Sequence, residues 1–397
     1  MRDTTALGLG AFGNALLAYV FFTVATRSLG AEAAAPVSVL WTYWLFAAAA
    51  LTFPLQHWIA RTVAAHAGEA LVRDALPRVA AAVLLAAAGS GLLAWLARDQ
   101  LFHRSDPWFP LLLAGVTVGA GFVGVVRGGL SARHRFGSVA VVLVCENGVR
   151  CLGAALIAAV MPQSPLAFGV CMVVGSLVGL AWPTAVRFSS DRATTAKESA
   201  FAFLGAAASG QLVGQAVLTG GPVLLALRGG TPSEITALFA GLALVRAPYT
   251  LAIGLVSILT GWLTVLVVER RQAALRRVQV FVLVGTVLGS AAGAVVGAGP
   301  GPWLLRLIFG PEVRLDSFAA SLVATGSAVA LANLVQTVVL LAKGRTGGVA
   351  RSWLIGCFAG ATFLALSSAD PLAETCWAFV VTEAVAFVAF TFEQQRG

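Results

Sequence analysis

The chain is 397 residues long, 59% hydrophobic and only 11% charged, with a formal net charge of +9. Soluble domains are roughly a quarter charged, so this composition excludes a string of water-soluble domains and describes a multi-pass membrane protein. The positive charge sits almost wholly in short segments between apolar blocks, where it orients a chain in a bilayer, so a nucleic-acid partner is not expected.

A helix needs roughly 20 apolar residues to cross a hydrocarbon layer of ~30 Å. Blocks of that order, cut by charged or Gly/Pro-containing breaks, predict helices over 5–26, 34–56, 79–97, 108–126, 137–161 and 165–186. The first, mostly apolar from Leu7 to Ala25, is too long for a signal-peptide core and is followed at once by the second, which makes it a span. After the polar segment Arg187 to Glu198, spans are predicted over 200–227, 233–268, 278–298, 317–342, 350–367 and 373–392. The eighth block is long enough for one extended helix bent at Pro248, and Pro222 bends the seventh. The expected fold class is therefore all-α, a polytopic membrane protein of about 12 transmembrane helices in two six-helix lobes, 1–190 and 191–397.

With the N-terminus in the cytoplasm, the inner segments hold 18 Lys and Arg, among them Arg127, Arg133 and Arg135, and the outer segments hold 6. That asymmetry favours cytoplasmic placement of both termini. Only Lys197 and Lys343 are lysines among 26 basic residues, which with the heavy use of Ala, Gly and Val points to GC-rich coding and a bacterial plasma membrane. The first span ends in Arg27-Ser28-Leu29-Gly30 and the seventh in Arg228-Gly229-Gly230, so the halves read as a parallel repeat about an axis along the membrane normal. Two such bundles enclose a central cavity that rocking opens to either side, which is the architecture of a transporter.

Segments between spans are too short for a soluble catalytic or nucleotide-binding domain, and no catalytic constellation appears, so an enzyme is not expected. Cys145, Cys151, Cys171, Cys357 and Cys376 fall inside apolar blocks without disulfide or metal-ligand spacing, and neither a metal nor a cofactor is expected. Gly8, Gly10 and Gly13 match G-x-G-x-x-G without the strand a dinucleotide site needs, and read as a small-residue helix face. Gly285, Gly289, Gly293 and Gly297 form a second such stripe, suited to tight packing within the bundle.

An ionisable side chain at mid-bilayer costs at least ~2.5 to 3.5 kcal/mol and normally faces protein or a wet cavity. Glu146 and Arg150 can pair on one face of the fifth span, either as a structural bridge or as part of a cavity wall that serves coupling. Arg246 lies near the middle of the eighth span with Tyr249 one turn on. It needs a partner on another helix, with Glu383 a candidate, or an anionic ligand whose phosphate oxygens match its fork of donors. Asn14, the pair Gln211 and Gln215, and the pair Asn333 and Gln336 suit either sugar hydroxyls or neighbouring helices. Trp41, Tyr43 and Trp44 read as an interfacial belt, with Trp44 deep enough to stack on a sugar ring.

Several stretches, taken in order and spacing, resemble the polysaccharide-export branch of the multidrug/oligosaccharidyl-lipid/polysaccharide (MOP) flippase superfamily, the O-antigen (Wzx-type) flippases. They are Arg27-Ser28-Leu29-Gly30, Arg127-Gly128-Gly129-Leu130-Ser131-Ala132 with Arg135-Phe136-Gly137, then Glu146 and Arg150, Leu244-Val245-Arg246-Ala247-Pro248, and Leu307-Ile308-Phe309-Gly310-Pro311-Glu312. The resemblance implies alternating access and translocation of an isoprenoid-pyrophosphate-linked oligosaccharide, with a lipid-linked glycan and membrane lipid as partners. It also implies that helices 1, 2, 7 and 8 line the cavity, which puts Asn14, Trp44, Gln211, Gln215 and Arg246 there. Two alternative readings stay within the superfamily. One is an exporter of small molecules driven by a coupling cation, proton or sodium, with Glu146 or Glu383 as the titrating group; the other is a lipid II flippase.

Overall fold

Apolar blocks in this chain have no alternating pattern that a strand would need, and among the described residues of the computed structural model every regular element is helical. The structure describes residues 2–66, 69–189, 200–249, 252, 263, 265–267, 269 and 271–395. They pack as two units, Met1–Ala216 and Val217–Gly397.

The first unit holds α1 (Arg2–Ala33), α2 (Ala35–Ala47), α3 (Phe53–His66), α4 (Ala70–Leu96), the single turn α5 (Arg98–Leu101), α6 (Trp108–Ala132), α7 (Phe136–Val160), α8 (Pro165–Ser176) and most of α9 (Ala200–Thr219). α2 runs into α3 through a π-helical turn, Ala48–Thr52. Pro54 explains it: with no N–H to give the Ala50 carbonyl, the helix loosens to a wider turn just before the proline. Gly30 breaks α1 at φ 76, a left-handed conformation that favours glycine. α6 packs against α2, α3, α4 and α8, and α1 lies along α7, where Gly10 faces Ala140 so closely that an added Cβ would fall 2.8 Å from the alanine methyl. Of the glycines of the dinucleotide-like pattern, Gly10 thus serves close helix packing and Gly13 lies in ordinary contact with Val144, whereas a Cβ on Gly8 would meet nothing. Phe203 and Leu204 of α9 pack on the Leu55, Trp58 and Ile59 cluster, which is why most of α9 belongs to this unit.

The second unit continues with α10 (Gly221–Leu227), α11 (Pro232–Val245), α12 (Gln272–Ala298), α13 (Gly301–Phe309), α14 (Ser317–Ala342), α15 (Thr346–Leu366) and α16 (Pro371–Gln395). Its densest seam joins α12 to α14. Gly289, Gly293 and Gly297 face Ala328, Ala324 and Ala320, and a Cβ on Gly293 would already sit 3.0 Å from the Ala324 carbonyl. Lipid gives helices little hydrophobic reason to associate, so such backbone-to-backbone approach supplies the contact. Arg228, just past α10, holds Glu374 in the first turn of α16 at 2.5 Å.

Among the described residues, 9 helices are long and apolar enough to cross a membrane, with shorter apolar helical stretches at Pro165–Ala181 and Pro232–Val245. They fall on the predicted blocks, although the second runs on to Ala65 and the third starts at Ala70, nine residues before its block, so that Arg73 and Arg78 lie within the helix; the chain is a multi-pass membrane protein. Most of the eighth block beyond Tyr249 lies outside the described residues. Three expectations need correction. The eighth helix ends at Val245 and is interrupted at Arg246, two residues before Pro248, instead of bending at the proline. The ring of Pro248 crowds the Leu244 carbonyl and cannot bond it, so the break forms on the N-terminal side. Arg127, counted with the loop charges, lies inside α6 and is 7% exposed. Trp41 is a core residue at 5% exposure, stacked on Phe21 at 5.1 Å, and not part of an interfacial belt.

Candidate functional site

In the first unit the polar side chains converge on α7. Glu146 and Arg150 stand one turn apart, and Arg150 Nη2 donates to Glu146 Oε1 at 2.8 Å. Arg150 is fully buried. Its Nη1 donates to Asn147 Oδ1 at 2.8 Å and its Nε to the Met172 carbonyl of α8 at 3.1 Å, and the guanidinium lies 4.6 Å from the Trp44 ring of α2. Gly175 makes this possible, because a Cβ there would sit 2.5 Å from Arg150 Nε. A charge so fully bonded is an internal brace. Of the two readings open for this pair, the bridge is the one the geometry has.

The brace positions two of the predicted contact residues. Asn147 Nδ2 donates to Asn14 Oδ1 at 2.9 Å, so the carbonyl end of the Asn14 amide is turned to α7 and its N–H donors point elsewhere. Trp44 is held between the Arg150 guanidinium and Trp41, whose ring lies 5.4 Å away. Asn147 had not been singled out from sequence. Its signal was its place between Glu146 and Arg150 on a helix with few other polar residues.

Arg127 is the second residue that sequence reading missed. Its guanidinium lies 5.4 Å over the Phe53 ring, and its buried Nε has no hydrogen-bond partner. The Glu146 charge reaches it, and it in turn acts on His57. A buried donor left unbonded costs about 1–3 kcal/mol, so this Nε is an unmet hydrogen-bonding demand in the first unit. Beside it, Gln56 Nε2 donates to Ser131 Oγ at 3.3 Å.

In the second unit, both helix breaks meet at Arg246. Pro222 near the start of α10 has no N–H for the Leu218 carbonyl at the end of α9. Arg246 Nη2 supplies the missing donor at 2.8 Å. Tyr249 lies within electrostatic reach of Arg246 and of Glu383. Glu383, fully buried on α16, takes its hydrogen bond from Asn333 Nδ2 of α14 at 2.7 Å, so the partner suggested for Arg246 belongs instead to Asn333. Glu383 Oε1 and Asn333 Oδ1 are both buried without a hydrogen-bond partner. Gln336 joins the same helices through Thr391 Oγ1 at 3.3 Å, so Asn333 and Gln336 bind helix to helix. Gln215 on α9 is half-buried, whereas the side chain of Gln211 lies outside the described residues.

At the arginine-rich ends of the first unit, Glu69 receives Arg133 Nε at 2.9 Å and the Ser189 backbone N–H at 2.8 Å. Burial works to raise its carboxyl, but these bonds outweigh it and hold the group below the usual carboxylate range.

A family model described as polysaccharide biosynthesis protein matches residues 1–269. No curated protein matches the sequence. Among solved structures, an inward-facing multidrug resistance MATE family transporter of the MOP superfamily aligns with a TM-score of 0.69 at 13% identity, over 96% of this chain and 94% of its own. The lipid II flippase MurJ, in an inward closed conformation, gives 0.65 at 11% identity over 98% and 87%. A MOP superfamily transporter from Pyrococcus furiosus gives 0.61 at 14% identity over 100% and 95%. At such identities the likeness is one of fold.

Proposed function

The chain belongs to the polysaccharide biosynthesis protein family, and from that premise we propose that it is a flippase that carries an isoprenoid-pyrophosphate-linked oligosaccharide across the bacterial plasma membrane by alternating access, with both termini cytoplasmic. The family match is the observation that carries this reading, since it alone points to polysaccharide. Arg246 supports the head-group role: a guanidinium at a helix break matches phosphate oxygens with a planar fork of donors. Arg127, buried with an unbonded Nε, supports a second anionic contact in the first unit. Asn14, whose amide N–H donors point away from α7, and Trp44, through the part of its indole left open by Arg150 and Trp41, are assigned to sugars, and Gln211, Gln215 and Tyr249 complete the proposed contact set. Outward movement of an anionic head group is helped by an inside-negative potential by ~2.3 kcal/mol per charge per 100 mV.

The test is the sidedness of an isoprenyl-linked saccharide in proteoliposomes. The wild-type protein is expected to expose it on the opposite leaflet, and Arg246→Ala is expected to slow that exposure at least tenfold while keeping the melting temperature within a few degrees. No exposure by folded wild-type protein sinks the function; normal exposure by Arg246→Ala removes only the clamp.

A second reading, a cation-coupled small-molecule exporter, draws on the buried Glu383 with its unbonded oxygen beside that of Asn333. It predicts drug sensitivity on deletion of the gene, with no change in saccharide sidedness. Under either reading Glu383 is assigned the coupling proton or sodium ion, because a lone buried carboxylate requires a positive partner.

A further inference from the structure

Where α12 begins and α14 and α16 end, the second unit has an open-sided groove of about 1210 Å³. Four cationic side chains line it, Arg276, Arg277, Lys343 and Arg345. We propose that this groove binds the head group of an anionic phospholipid, with an acyl chain laid along the adjoining face of α12.

The charges are arranged with a surplus. Arg276 and Arg277 are exposed and enter none of the unit's ion pairs among the described residues. Among the described acids nearby, Glu269 is already paired with Arg271 at 2.6 Å, and Glu393 is shared by Arg345 at 3.4 Å and Arg351 at 3.1 Å. Burial and then the Arg345 charge hold the Lys343 ammonium below its usual range. The positive end of the α12 dipole adds to this field.

The rest of the lining selects between ligands. Gln279 Nε2 donates to Gln394 Oε1 at 2.9 Å, Gln394 donates in turn to Gln336, and Lys343 Nζ donates to the Gln394 carbonyl at 3.2 Å. Gln279, Gln336 and Gln394 are thus bonded to one another, and the amides that stay open in the lining are the exposed Gln272 and Gln395 at the groove's ends. The wall, by contrast, is apolar: Val280, Phe281 and Val284 line it, and Phe281 is 78% exposed. Cations at a membrane face beside a lipid-facing apolar strip are the chemistry that holds a phosphodiester head with its tails. The inference rests on the membrane reading and on these ends lying at the arginine-rich face, and it does not depend on what the protein transports.

The experiment uses the full chain in detergent micelles, titrated with phosphatidylglycerol, phosphatidylcholine or a short isoprenyl pyrophosphate, with retention read by native mass spectrometry. Wild-type protein is expected to retain phosphatidylglycerol over phosphatidylcholine. R276Q/R277Q, which disturbs no ion pair among the described residues, is expected to lose that retention about tenfold, and Arg306→Gln on α13, beyond the opposite end of α12, is expected to keep it. Phe281→Ser is expected to weaken retention while sparing the melting temperature. Equal retention by R276Q/R277Q and wild type overturns the inference, as does a preference for the isoprenyl pyrophosphate over phosphatidylglycerol. Retention is read without transport, so a wild-type protein that binds the lipid yet flips no saccharide overturns the preceding reading alone.

Discussion

Arg150 spends its donors on Glu146, Asn147 and Met172 inside a core it shares with Trp44. Removing such a cation leaves its acid buried and alone, which costs about 3–5 kcal/mol, whereas removing both charges leaves little behind. Arg150→Met is therefore expected to lower stability by that amount, and the double variant E146Q/R150M to recover much of it; thermal unfolding in detergent reads both. The spacing of Glu146 and Arg150 on one helical face was legible in the sequence. What lay beyond it was the room for the guanidinium, which depends on Gly175 of another helix. Arg127 illustrates the opposite difficulty: a basic residue at the edge of an apolar block looks the same in sequence whether it enters a loop or stays in the helix. Glu69 carries a prediction at the same scale. Its folded pKa is depressed by Arg133 and Ser189 against the push of burial, so its contribution to stability is present above the unfolded carboxylate value and is lost as pH falls through the folded one. Melting temperature followed against pH is expected to show wild type above Glu69→Gln near neutrality and the two converging in acid.

The helices themselves were the most legible level, because a span is written as a long run of one kind of residue and needs no distant partner to define it. Their interruptions were less so. Pro222 and Pro248 announce breaks, but only the packing of α9 against Arg246 decides where the freed Leu218 carbonyl finds a donor. One repeated device was not legible at all. After α6, the N–H groups of His134 and Arg135 bond the Ser131 and Leu130 carbonyls at 3.0 and 2.9 Å; after α14, those of Gly344 and Arg345 bond Leu341 and Leu340 at 2.9 Å each. Both turns pass through a left-handed residue, His134 at φ 55 and Gly344 at φ 72. The same turn closes corresponding helices in the two halves, and glycine stands in only one of them. His134 accepts a strain that Gly344 avoids, so His134→Gly is expected to raise stability by about 1 kcal/mol, after the loss of its ring contact with Phe136 at 5.9 Å. Equilibrium unfolding checks the sign; a destabilised variant means that the ring contact outweighs the strain.

At the scale of the molecule, composition and the long apolar blocks carried the class of architecture, an all-helical multi-pass fold that solved structures share at only 11% to 14% identity. The proposed substrate contacts and coupling rest on only a few groups within the helices. A transporter that changes state needs a site whose occupancy differs between states, because a ligand shifts an equilibrium only by its differential affinity. Glu146 is poorly suited to be that site, since Arg150 balances it within hydrogen-bond distance and neither proton nor sodium is required. Glu383 has an amide in place of a cation, and each of the pair keeps an unbonded oxygen. Coupling through Glu383 therefore predicts an asymmetry between two conservative variants. In proteoliposomes with an imposed proton or sodium gradient, wild-type transport is expected to rise with the gradient, Glu146→Gln to rise with it in parallel, and Glu383→Gln to run at one rate whatever the gradient. Asn333→Asp, which adds a second carboxyl beside the first, is expected to alter the pH at which the gradient takes hold. Gradient-dependent transport by Glu383→Gln would move the coupling site away from the α14 and α16 seam.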